Sequence, residues 1–195
     1  MNKSKYTKLY RIWHWTMALS TIGLLITVFL RETFLNFNEN KELIDSKLLE
    51  KGIQISDNTS EIIVQTLRDN MWSWHYILGF VLLFSILIRF FMIITRQANI
   101  PIIEVFQAKN KTERVKKVVY TILCFLIMLM TVSGFAMYYG ENFSFTPEKI
   151  EMIKELHENA MNGLILMIII HIIGVLKHDF ITKEGIISKI ISGEK

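Results

Sequence analysis

Four of the chain's five histidines, His14, His75, His157 and His171, fall inside or at the edge of long apolar runs. Two of them, His157 and His171, are fourteen residues apart. On an α-helix, fourteen steps of about 100° come within ~40° of four full turns, so both imidazoles share one face while ~21 Å separates them along the axis. Neutral imidazole nitrogen binds iron well in both oxidation states, and two imidazoles fill the axial positions of a porphyrin iron. Such an iron has no open position for oxygen and is suited to shuttling electrons. A zinc site is a poorer match, because neither histidine pair has carboxylate or thiolate ligands nearby in the pattern.

The elements that must position these histidines can be read from the apolar runs. Among 195 residues, 22 are basic and 18 acidic, yet the mean hydropathy is +0.34. The charges cluster between four runs, roughly 9–30, 71–94, 118–139 and 156–176, each about the ~20 residues that cross a hydrocarbon core. Pro101 and Pro147 both lie between runs, so neither breaks a helix. The expectation is an all-α membrane protein, a four-transmembrane-helix bundle forming a single domain over 1–195, with an outer loop at 32–70 and an inner loop at 96–117. The basic lead Lys3, Lys5, Lys8 and Arg11 suggests a signal peptide. The apolar stretch is too long for one, however, no small-x-small site follows, and Arg31-Glu32 ends it directly; it is expected to remain as the first helix.

Orientation follows from the basic residues. The N-terminus, the loop from Arg96 to Lys117 and the tail (Lys177, Lys183, Lys189, Lys195) together carry 14, against seven on the other side (Arg31, Lys41, Lys47, Lys51, Arg68, Lys149, Lys154). The positive-inside rule then puts both termini in the cytoplasm. With that topology His14 and His171 lie at the inner depth and His75 and His157 at the outer depth. The pattern therefore predicts two bis-histidine haem sites, His14 with His171 and His75 with His157.

Other residues fit around these sites. Gly79 follows His75 by one turn, Gly174 follows His171, and Ser133-Gly134 interrupts a bulky third helix; they make room for a flat group or for close helix packing. Arg11 and Arg89 suit haem propionates or lipid phosphates. Trp13, Trp15, Trp72 and Trp74 form an interfacial aromatic belt beside His14 and His75. His178, flanked by Lys177 and Asp179, reads as a solvated interfacial histidine or, alternatively, as part of a quinone or proton-transfer site. Cys124 is the single cysteine, which excludes disulfides and cysteine metal clusters, and the absence of Cys-x-x-Cys-His excludes covalent c-type haem. The basic balance needs no nucleic acid. In the outer loop, the apolar spacing around 43–49 and 62–67 predicts two short amphipathic helices broken near 52–59. The stretches 100–106 and 180–195 read as helices lying on the lipid surface.

Together, Arg11-x-Trp13-His14-Trp15, His75-x-x-x-Gly79, Ser133-Gly134 and His157 with His171 resemble the bacterial cytochrome b561 and nickel-iron hydrogenase b-type cytochrome subunit family. They are also similar to the gamma subunit of membrane formate dehydrogenase. The resemblance spans the four helices. It implies two non-covalent b-type haems, a quinone site near the inner haem, and electron transfer between an outer redox protein, such as a hydrogenase or other dehydrogenase subunit, and the quinone pool of a respiratory chain. The outer loop is longer than that pattern expects.

An electron-transfer subunit is therefore favoured over an independent enzyme. The alternative is a stand-alone superoxide oxidase reducing quinone, but twelve acidic residues on the outer segments face seven basic ones, a field that repels an anion. A haem-free transporter or scaffold is the remaining class.

Overall fold

The computed structural model describes residues 7–182 and 185–193; Lys3, Lys5, Lys183 and Lys195 of the basic residues above lie outside them. The described residues form seven helices and no strand: α1 (Lys8–Glu32), α2 (Phe37–Glu50), α3 (Asp57–Ile94), α4 (Pro101–Phe106), α5 (Lys111–Tyr138), α6 (Pro147–Thr182) and α7 (Ile186–Ile191). Four of them, α1, α3, α5 and α6, are long and apolar enough to cross a membrane, with 25, 38, 28 and 36 residues. At 1.5 Å per residue they run to ~38–57 Å, beyond a hydrocarbon core of ~30 Å, so their polar ends must project from it.

Local chemistry sets where the helices begin. Asn36 caps α2, its side-chain oxygen accepting from the backbone N–H groups of Asn38 and Glu39 at 3.1 and 3.2 Å. At α5, Asn110 accepts from the Glu113 N–H at 2.8 Å, while the Glu113 carboxylate reaches back to the Lys109 N–H at 2.9 Å. This reciprocal arrangement satisfies donors that the first helical turn leaves open. Both prolines open helices, at Pro101 and Pro147, where the missing N–H costs nothing.

The outer segment differs from expectation in one respect. Its first helix, α2, exists and ends at Glu50, with Gly52 at φ +72° turning the chain. The second short helix expected around 62–67 is no separate element: from Asp57 the helix runs unbroken to Ile94. Only Gly79 interrupts its side chains and no proline occurs in it, so each added residue gains a backbone hydrogen bond and nothing stops propagation. The helices expected at 100–106 and in the tail are present as α4 and α7. The tail helix is divided, α6 continuing to Thr182 before Gly185, at φ +62°, starts α7.

The chain forms two compact units. In the unit spanning Trp15 to Leu82, Ser60, Val64 and Met71 are buried along one stripe of α3. The Arg68 guanidinium lies 5.8 Å from the centre of the Phe37 ring. Lys41 on α2 hydrogen-bonds the Asp57 carboxylate at 3.2 Å, which pushes the ammonium pKa up. Gly23 of α1 lies against Leu78 of α3, where a Cβ would come within 2.8 Å of the leucine. The other unit comprises the start of α1 to His14 and the chain from Leu83 onward. There α5 packs along α6 and α4 along α5. Ile127, Thr131 and Leu164 are buried. Leu19, Ile22, Ile26 and Phe29 stay exposed on α1 at near-helical spacing, a surface suited to lipid.

Asn110→Ala removes the α5 cap and should cost about 1 kcal/mol, whereas Asn110→Asp should be nearly neutral because aspartate caps equally well. Thermal loss of helical ellipticity in detergent checks this. Equal midpoints for the alanine variant and the parent would show that the cap contributes nothing.

Candidate functional site

The start of α1 is held in place by a tryptophan. Trp13 is 3% exposed and its indole N–H donates to the Ser85 carbonyl of α3 at 2.8 Å. A buried indole N–H needs such an acceptor, and satisfying it sets the rotation of α1 at this point. The next residue, His14, then comes near His171 of α6 within the same unit, close enough for the charges of the two imidazoles to interact. Two residues 157 positions apart in sequence thus lie within electrostatic reach of each other.

His157, on α6 in this unit, sits against α5. Its Nδ1 is 2.8 Å from the Ser133 hydroxyl oxygen. That hydroxyl also lies 2.7 Å from the Leu129 carbonyl and 3.2 Å from that of Met130. A hydroxyl has one hydrogen and two lone pairs. Oxygens 2.7 Å apart repel unless a hydrogen lies between them, so the serine donates to its own helix and is left as an acceptor for the histidine. Nδ1 of His157 is then the protonated nitrogen, and Nε2 carries the lone pair that a metal requires. Gly134 is what lets the ring sit there: a Cβ at that position would be 3.3 Å from Cε1 of His157.

His75 lies in the other unit, where α1 supplies the same device. Its Nδ1 is 2.7 Å from the Thr27 hydroxyl, which donates to the Leu24 carbonyl at 2.6 Å. By the same count of hydrogens, Thr27 accepts, Nδ1 of His75 is protonated, and Nε2 keeps its lone pair. Trp72 meets the His75 ring edge-on at 5.6 Å between centroids and Tyr76 at 6.4 Å. Neither Thr27 nor the role of Ser133 as acceptor was legible in the spacing. The Ser133-Gly134 pair stood out only as a small step in a bulky helix.

The remaining predicted residues are placed as follows. A Cβ on Gly79 or Gly174 would meet no atom within 4 Å, so neither glycine serves close helix packing, and Gly79 leaves its side of α3 open to a flat group. Arg11 turns toward the tail, its Nη1 donating to the Ile191 carbonyl at 3.3 Å at the C-terminal end of α7, where a cation complements the helix dipole. His178 is hydrogen-bonded to Thr182 at 3.3 Å, within its own helix. Cys124 is a free thiol on α5.

These groups suit a b-type haem. His75 and His157 are set up as neutral nitrogen donors, and all four histidines lie in apolar helices. Among the described residues, moreover, no three or more His, Cys, Asp or Glu side chains cluster to bind a bare ion. No curated protein and no solved structure matches the chain. A family model described as prokaryotic cytochrome b561 matches residues 5–193. The chain therefore belongs to the prokaryotic cytochrome b561 family, multi-pass bacterial membrane proteins whose membership implies b-type haem and electron transfer.

Proposed function

We propose that this protein is a di-haem cytochrome that relays electrons between a redox protein on the outer side of the bacterial inner membrane and the quinone pool. It would serve as the membrane subunit of a respiratory oxidoreductase such as a hydrogenase or another dehydrogenase. The observation that carries the reading is the approach of His14 and His171 from separate helices. Half-burying two imidazoles within electrostatic reach of each other in apolar helices is costly unless both are used, and the two would supply both ligands of one iron. His75 and His157, each with its Nδ1 proton held by a hydroxyl, are assigned to the second, outer haem.

Bound haem supplies reversible one-electron transfer at its iron. The protein's own groups decide how. His14 and His171, and His75 and His157, would hold the two irons and would leave no open position for oxygen. Thr27 and Ser133 hold the tautomer and ring orientation of their histidines and raise their basicity. Gly134 admits the His157 ring and Gly79 leaves room beside His75. Arg11, with its Nε buried, adds positive charge near the inner site while securing α7. Quinone is assigned to the inner haem, and the acidic outer segment faces the redox partner.

The purified chain should carry two haems per polypeptide, both reduced by quinol. His157→Ala should lose one haem and keep most of the other, measured from the haem-to-protein ratio and the optical spectrum. A colourless parent protein would end the proposal, loss of both haems in the variant would refute independent sites, and reduction by superoxide in preference to quinol would favour a stand-alone superoxide oxidase.

Ser133→Ala should weaken haem binding at the His157 site by about 10–100-fold, with Ser133→Thr retaining most of the affinity because it keeps the acceptor. Haem titration of the apoprotein provides the comparison, and an alanine variant that binds as tightly as the parent would show that Ser133 does not orient the ligand.

A further inference from the structure

Arg89, near the end of α3, is a cation held in an unusual setting. Its guanidinium carbon lies 5.0 Å from the centre of the Trp13 ring and 6.0 Å from that of Tyr120. All three residues belong to the same unit as His14 and His171. The two edges of the guanidinium differ. Nη2 donates to the Asn99 carbonyl at 3.2 Å on the exposed side. Nε and Nη1 are buried and have no hydrogen-bond partner.

Aromatic faces attract a cation but accept no conventional N–H hydrogen bond of full strength. Buried charged donors without an acceptor are costly. An arginine reaching lipid phosphate would present its exposed edge, and here that edge is already bonded to Asn99. The missing acceptor must therefore come from the interior, must be accessible beside Trp13, and should be anionic to match a guanidinium. Trp13 directly precedes His14 on α1, so Arg89 lies at about the level of His14 along that helix.

We infer that Arg89, stacked on Trp13 and Tyr120, is the anchor for a propionate carboxylate of the haem held by His14 and His171. This inference rests on the di-haem reading given above. Arg89 acts on that haem in two ways: it ties down the porphyrin edge, and it places a positive charge in a low-dielectric region where it favours the electron-rich, ferrous state. Arg11 is the less suitable anchor, because its Nη1 is committed to the Ile191 carbonyl.

The test is a redox titration of the purified holoprotein, followed optically, for the parent, Arg89→Gln and Arg89→Lys. In Arg89→Gln the ferric-to-ferrous ratio of one haem, at fixed ambient potential, should rise about tenfold, which for a one-electron couple is ~59 mV, while the other haem titrates as in the parent. Arg89→Lys should shift less, since it keeps the charge and loses the planar guanidinium. A second measurement needs no variant: apoprotein is reconstituted with haem b or with its propionate dimethyl ester, and the ester should bind one site at least ~10-fold more weakly. If Arg89→Gln does not accumulate, this comparison decides. Unchanged potentials in Arg89→Gln, or equal binding of haem and ester, would overturn the assignment, as expected if the arginine served lipid. A parent protein without haem would instead refute the di-haem reading itself.

Discussion

In hydrocarbon a hydroxyl has no water to bond, so it must give its one hydrogen to its own helix. The apolar helices follow this rule repeatedly: Ser20 donates to the Thr16 carbonyl, Thr21 to Met17, Thr121 to Lys117 and Thr131 to Ile127, at 2.7–2.9 Å. Each of these oxygens is thereby left as an acceptor. At Thr27 and Ser133 that acceptor meets an imidazole, and the obligation of the hydroxyl becomes an instruction to the histidine: protonate Nδ1, keep the lone pair on Nε2. The tautomer of His75 and His157 thus rests on a constraint that belongs to the membrane environment.

The end of the protein bearing His14 uses a different device. Trp13 is buried and its indole N–H is bonded to a backbone carbonyl of α3, which sets the rotation of α1 before the chain reaches His14. The same indole provides the surface on which Arg89 lies. One tryptophan therefore orients a histidine and supports a cation. Its position beside His14 in the sequence is explained by tertiary packing more fully than by a role in an interfacial belt alone.

The projecting polar ends have their own logic. The stretch of α3 before Met71 buries Ser60 and Val64, and the Lys41–Asp57 pair joins α2 to the start of α3. An exposed ion pair of this kind contributes little stability. The outward surface keeps Leu43, Leu49, Ile62 and Leu67 exposed among acidic residues.

The sequence by itself determined the number of spanning helices and their approximate limits, because exclusion of charge from hydrocarbon leaves a one-dimensional record. It also determined that His157 and His171 share a helical face, because helical periodicity is fixed by the backbone. The caps at Asn36 and Asn110 and the breaks at Gly52 and Gly185 are local for the same reason. Only the tertiary structure decided that Thr27 meets His75, 48 residues away, that Ser133 meets His157, 24 away, and that Trp13 meets Ser85, 72 away. It also separated Arg11, bonded to the tail, from Arg89, set against Trp13 and Tyr120, although both read alike as basic residues at a helix end. These depend on the rotation of each helix about its axis, which many weak packing contacts set jointly and no pattern along a single segment records.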